Sequence, residues 1–185
     1  MAGAGYGTNG STFVIGIKEN NFAGKGIILD SNVSISEESL KGKISYTNPN
    51  FQYSDRSLIS SIESTTTDKE ADSGYKSSLN RISVGTSFEQ YEGFFITPYF
   101  NVSNESVTTT ANASENYKKQ EGSYFDTLFS YGLTYDLRNS PYQPTDGFIS
   151  RWYQEIPVTS DDSTIINGYS FTTYKEFSDD LILTS

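Results

Sequence analysis

Tyr124-Phe125-Asp126-Thr127-Leu128-Phe129-Ser130-Tyr131-Gly132-Leu133-Thr134-Tyr135-Asp136 decides the fold class. Phe125, Phe129, Tyr131, Leu133 and Tyr135 all fall on one parity. A strand turns successive side chains to opposite faces, so this spacing gives one apolar face; a helix would scatter the same residues around its axis. The pattern recurs on both sides of it. Phe94, Ile96, Phe100 and Val102 oppose Thr97, Tyr99 and Asn101, and Phe148, Trp152 and Ile156 oppose Arg151 and Glu155. Ile82 and Val84 oppose Arg81 and Ser83.

Toward the start of the chain, Phe13, Ile15 and Ile17 alternate with Thr12, Val14, Gly16 and Lys18. Ile27, Leu29, Val33 and Ile35 oppose Ile28, Asp30, Asn32 and Ser34. Leu40, Gly42, Ile44 and Tyr46 oppose Lys41, Lys43 and Ser45. The stretch 56–65 is weaker, with Leu58 and Ile62 facing away from Glu63, and in 169–177 aromatics sit on both parities, leaving the faces unassigned. No stretch carries a helical period. The expectation is an all-β meander of antiparallel hairpins.

Turn-forming clusters separate the strands. Compact ones lie at 20–26, 50–55, 89–93 and 139–146; between them lie connections of variable length at 8–10, 37–38, 66–74, 104–122 and 159–167. Short turns at one end and longer polar loops at the other are the asymmetry of transmembrane β-barrels, which also need strands longer than those of soluble sheets. A soluble β-sandwich alternates too. Long strands and aromatics near strand ends favour the barrel.

Composition agrees. Hydrophobic residues make up only 35% of the 185 residues while aromatics reach 15%, which suits a barrel in which every second residue meets lipid. No run approaches the length of a transmembrane helix. The net charge of −10, without a basic cluster, speaks against nucleic-acid binding. With no Cys and no His, thiol catalysis, Ser-His triads and imidazole or thiolate metal sites are excluded. Asp161-Asp162 and Asp179-Asp180 could offer oxygen ligands to Ca²⁺, but adjacent carboxylates in polar connections are ordinarily solvated, and neither metal nor cofactor is expected. The sequons at Asn101, Asn104 and Asn112 match by chance in Ser/Thr/Asn-rich sequence. Gly3-Ala4-Gly5-Tyr6-Gly7 precedes no helix and is not a nucleotide loop. The first residues have neither a basic nor an apolar signal region, which for an exported chain implies a mature form or a piece of a longer one.

Three stretches carry a family resemblance. Asn20-Asn21-Phe22-Ala23-Gly24-Lys25-Gly26 resembles the first periplasmic turn of the BamA family. Tyr46-Thr47-Asn48-Pro49-Asn50-Phe51 resembles the element ending its fourth strand. Tyr131-Gly132-Leu133-Thr134-Tyr135-Asp136-Leu137-Arg138, with Pro144-Thr145-Asp146-Gly147-Phe148, resembles the segment from its eighth strand into its ninth. The residues themselves have structural readings. Gly24 and Gly26 can supply positive φ in a tight turn, Pro49 and Pro144 sit at strand ends where no N–H is needed, and Asp136 and Arg138 form a local ion pair.

The resemblance implies a partial outer-membrane β-barrel over residues 1–185, about ten strands of a sixteen-stranded barrel. It starts from a first-strand remnant, runs to the beginning of an eleventh strand, and lacks the periplasmic POTRA domains, the Val-Arg-Gly-Phe loop motif and the last strand. The expected shape is an incomplete, curved sheet with free edges. Pro98, in the seventh strand, departs from the pattern and should cost a ladder hydrogen bond unless a bulge absorbs it.

The implied function is assembly, folding and insertion of barrel proteins into the bacterial outer membrane through a lateral seam, without enzymatic chemistry. The edge formed by Gly3, Ala4, Gly5, Tyr6 and Gly7 would pair with a client strand through backbone groups. Implied partners are unfolded outer-membrane proteins, outer-membrane lipid and lipopolysaccharide, and the accessory assembly lipoproteins of the full-length parent. The alternatives are a related polypeptide-secreting transporter barrel and a small ligand-binding barrel or adhesin-like β domain.

Overall fold

A computed structural model describes residues 2–7, 10–160, 164–178 and 181–184. They form one antiparallel sheet of eleven strands in strict sequence order. The strands are β1 (Ala2–Gly7), β2 (Gly10–Phe22), β3 (Ile27–Ser36), β4 (Ser39–Asn48), β5 (Ser57–Lys69), β6 (Tyr75–Tyr91), β7 (Phe94–Thr109), β8 (Gly122–Asp136), β9 (Asp146–Thr159), β10 (Ile166–Ser178) and β11 (Leu181–Thr184). β1 pairs only with β2 and β11 only with β10, so the sheet is open, as expected of an incomplete barrel. The acidic pairs at 161–162 and 179–180 lie outside the described residues.

The register carries the alternation across the whole sheet. Ile44 pairs with Ile62, Ile62 with Ile82 and Ile82 with Val102, while Val84 pairs with Phe100 and Phe100 with Phe129. This apolar face is uncovered: Ile15, Ile62 and Ile82 are each more than half exposed. The opposite face holds Lys43, Ser45, Ser61, Glu63, Arg81, Asn101, Ser130 and Glu155. These side chains come from β4 to β9 yet line one cleft of about 370 Å³, so the polar face is the concave one. Among the described residues only Ile27, Val107, Ala113 and Ile149 are buried apolar side chains. A single layer with its apolar side turned out has no core of its own and needs an apolar solvent there.

The faces left unassigned in β10 are fixed by pairing. Tyr169 lies opposite Trp152 and Phe171 opposite Ser150, which puts both rings on the apolar side, whereas Tyr174 pairs with Gly147 on the other. The sequence pattern is mixed there because Tyr174 puts a ring on the concave side; the register shift comes only later, between Glu176 and Ser178.

Three further expectations change. The strands run past the expected connections: β5 continues to Lys69 and β7 to Thr109. The 110–121 connection contains a short helix, Glu115–Lys118, started by the Ser114 side chain, which accepts from the Tyr117 N–H, and held against β6 by a Tyr75–Tyr117 stack with centroids 4.2 Å apart. The turn asymmetry is also partial. The end bearing 23–26 and 92–93 also bears the longer 49–56 and 137–145, while the opposite end includes the tight 37–38 as well as 110–121. The two longer turns are internally bonded structures rather than free loops. Pro98, by contrast, meets its expectation: there is no bulge and the ladder is broken beside it. The β6–β7 register is the same on either side of it, but the rungs opposite Pro98 and Thr97 are missing, and Ser87 Oγ and Thr97 Oγ1 meet instead at 2.9 Å.

The three quoted turns form as their residues dictate. Asn21 closes the first: its carbonyl accepts from the Gly24 N–H at 2.9 Å and its side chain from the Gly26 N–H at 2.8 Å. Gly24 and Gly26 have φ of 71° and 66°, and Ala23, unforeseen, joins them at 56°. β4 ends at Asn48, one residue before Pro49, and Pro144 stands outside β9.

Candidate strand-pairing edge

β1 lies antiparallel to β2 with Ala2 opposite Ile15, Ala4 opposite Phe13, Gly3 opposite Val14 and Gly5 opposite Thr12. Ala2 and Ala4 therefore share the apolar outer face, and Gly3 and Gly5 the concave one. A Cβ added to Gly3 or Gly5 would meet nothing within 4 Å, so packing against β2 does not require these glycines. In an antiparallel ladder alternate residues turn N–H and C=O away from the existing partner, so β1 presents a row of backbone donors and acceptors on its far side. No side chain of β1 carries charge. All five residues expected at the edge lie in one strand whose far side is free of pairing among the described residues. What such an edge can do is add a strand.

At the far end of the sheet the Asp136–Arg138 pair is present and bidentate. Arg138 Nη2 reaches Asp136 Oδ2 at 2.6 Å and Nε reaches Oδ1 at 2.8 Å. These bonds hold the Arg138 guanidinium still more firmly protonated than usual. Asn139 completes the turn, its side-chain oxygen accepting from the Thr145 and Asp146 N–H groups at 3.0 and 3.2 Å. The pair is a clasp on the β8–β9 turn and touches nothing that could react.

Sequence reasoning missed the charged row on the concave face. Lys43, Glu63 and Arg81 are direct neighbours on β4, β5 and β6, with Lys43 Nζ 3.8 Å from Glu63 Oε2. They stand far apart in the chain, and only the strand register brings them together.

The geometry gives an open, outward-apolar meander, and comparison gives its family. The model of the Omp85 superfamily domain matches residues 21–185. The chain belongs to the Omp85 superfamily. Among solved structures, the Omp85 chain is similar to the crystal structure of BamA from Haemophilus ducreyi lacking POTRA domains 1-3, with a TM-score of 0.75 and 23% identity. That match covers 96% of this chain and 37% of the other, so the Omp85 sheet spans little more than a third of the BamA chain it resembles. No curated protein matches the chain. The sheet is thus a partial barrel of the BamA kind. The family match begins within β2, so β1 stands outside it and its role rests on geometry alone.

Proposed function

We propose that this Omp85 sheet is the first-strand side of an outer-membrane barrel that folds and inserts other barrel proteins by strand addition at β1. The observation that carries the reading is the glycine-rich edge, paired with β2 on one side only. The incoming strand of an unfolded outer-membrane protein pairs with that edge, backbone to backbone, and no covalent chemistry is involved. The uncovered apolar face supports placement in the bacterial outer membrane, because a chain working in water could not leave Ile15, Ile62 and Ile82 on one contiguous face. The same face argues against the adhesin-like alternative, which calls for a wettable exterior. Lipopolysaccharide and accessory assembly lipoproteins belong to the proposal as partners of the whole machine.

The test uses the full-length protein and a stalled client barrel. The sequence has no Cys, so Ala4→Cys paired with single cysteines along the client's terminal strand gives an unambiguous crosslink map. Crosslinks recurring at every second client position are expected. Tying β1 to the protein's own last strand should stop client assembly while leaving its own fold intact. Normal assembly by the tied protein would overturn the proposal and favour a polypeptide-secreting transporter.

A further inference from the structure

The outward positions of β2 to β10 carry no charge through the middle of the sheet. At the turn end they meet a rim of rings and then a single stacked cation. Phe94 and Tyr135 lie 6.2 Å apart, Tyr135 and Phe148 5.6 Å, and Phe148 and Phe171 5.6 Å, centroid to centroid, forming a continuous row on the apolar face. The row extends toward β6 through Tyr91, which pairs with Phe94. One step further, at the start of β5, the Arg56 guanidinium carbon stands 5.2 Å from the centre of the outward Phe88 ring. Arg56 is exposed and, among the described residues, has no carboxylate partner; Lys175, the other outward cation near this level, is taken by Asp146 at 3.0 Å.

Two clefts lie along the same rim. One of about 410 Å³ is lined by Asp55, Glu89, Gln90, Tyr91 and Glu92; the other, of about 350 Å³, by Tyr91, Glu92, Phe94 and Tyr135. Tyr91 and Glu92 belong to both. Glu89 is committed to its own turn, accepting from the Gly93 N–H at 2.6 Å, which leaves the Asp55 and Glu92 carboxylates for a ligand.

We infer that this rim binds the headgroup of a zwitterionic phospholipid with a primary ammonium, of the phosphatidylethanolamine type. The inference rests on the membrane placement proposed above. Three chemistries meet at the level where the apolar face ends. A guanidinium held over a ring offers N–H donors to a phosphate. Carboxylates a few residues away accept from an ammonium that carries N–H groups. An aromatic cleft receives the glycerol and the first acyl carbons. A purely anionic lipid would satisfy Arg56 but meet repulsion from Asp55 and Glu92. A choline headgroup has no N–H to give those carboxylates. Charge complementarity therefore selects the amine lipid over both.

Native mass spectrometry of the full-length protein in detergent, titrated with phosphatidylethanolamine, phosphatidylglycerol or phosphatidylcholine, tests this. Phosphatidylethanolamine should be retained preferentially, and Arg56→Gln should weaken that retention roughly tenfold, the loss of one charge-assisted contact. Arg56→Lys should keep only part of it, since an ammonium keeps the charge but not the paired donors. Asp55→Asn with Glu92→Gln should reduce phosphatidylethanolamine to the level of phosphatidylcholine, and carries the test if Arg56→Gln fails to fold. Excess inorganic phosphate should not displace the lipid. Equal retention of the three lipids, full retention in Arg56→Gln, or displacement by phosphate would overturn the inference. The same preparations are offered lipid vesicles. Insertion without headgroup preference sinks this inference alone, whereas failure to insert sinks the membrane reading with it.

Discussion

Val84 offers a sharp test of which face meets lipid. It pairs with Ser60 on one side and Phe100 on the other, on the outer face of β6, and is about half exposed. Along β6 the outward positions run from Phe88 at the ring-lined rim through Thr86, Val84 and Ile82 to Asn80, and Val84 lies midway. Eight residues at ~3.4 Å each give about 27 Å along the strand, or roughly 21 Å along the membrane normal at a tilt of about 40°. That is close to an apolar band about 25 Å tall, and it puts Val84 near the midplane. An arginine there should cost about 2–4 kcal/mol. Ser61→Arg, one position off the rung and lining the polar concave cleft near Glu63, should cost less than half as much. Urea titration in lipid vesicles can follow both variants through Trp152, the single Trp, which packs edge-on against Tyr131 on the outer face. Equal losses in the two variants, or a loss below about 1 kcal/mol for Val84→Arg, would refute the assignment of faces, since the cost of a lipid-facing Arg is the whole of the expected difference.

Three other expectations follow from the same coordinates. Gly147 has φ of 97° and a Cβ there would sit 2.1 Å from the Leu137 carbonyl oxygen, so Gly147→Ala should destabilise by about 1–3 kcal/mol in the same titration, whereas Gly42→Ala, with open space and no positive φ, should cost nothing. Arg138→Lys should lose about 1–2 kcal/mol, because an ammonium cannot reproduce the two parallel bonds to Asp136; a lysine variant as stable as the parent would show that charge alone is enough. Pro98→Val should return the missing rung between β6 and β7 and slow hydrogen exchange at Thr86, while Ser87, whose N–H already donates to Ser57 Oγ on β5, stays unchanged; unchanged exchange at Thr86 would point to the Tyr99 ring over Gly85 as the cause of the gap.

The faces of β2 to β4 and β6 to β9 were legible in the sequence because a strand's side-chain period is two and each of these strands keeps one side largely apolar. Phe125, Phe129, Tyr131, Leu133 and Tyr135 could share a side in no other regular structure, and the register repeats that choice from β2 to β10. Legibility failed where the contrast between faces vanished. Beyond Val102, β7 continues with Asn104, Ser106 and Thr108 outward and Ser103 and Glu105 inward, with Val107 the single apolar residue, so no alternation marks the strand and the expected connection began too early. It failed also wherever meaning depends on register. Lys43, Glu63 and Arg81 lie on three strands, and Arg56 meets Phe88 only because Ser57 pairs with Ser87.

The candidate edge sits between these cases. Its glycines were visible, but their use was not, because a glycine in a strand can relieve a clash or leave backbone bare. The structure separates the two. Gly85 and Gly168 lie under the Tyr99 and Tyr153 rings, where a Cβ would come within 2.3 and 1.9 Å of a ring carbon, so those glycines make room for a neighbour. Gly3 and Gly5 make room for nothing among the described residues. A β-branched residue at either position would fit and would raise strand propensity, so their small size has no internal reason. What glycine does change at an edge is how closely, and in how many registers, another backbone can approach. A strand that must accept many different partners, each for a short time, is served by that looseness, and a strand that only closes a wall is not.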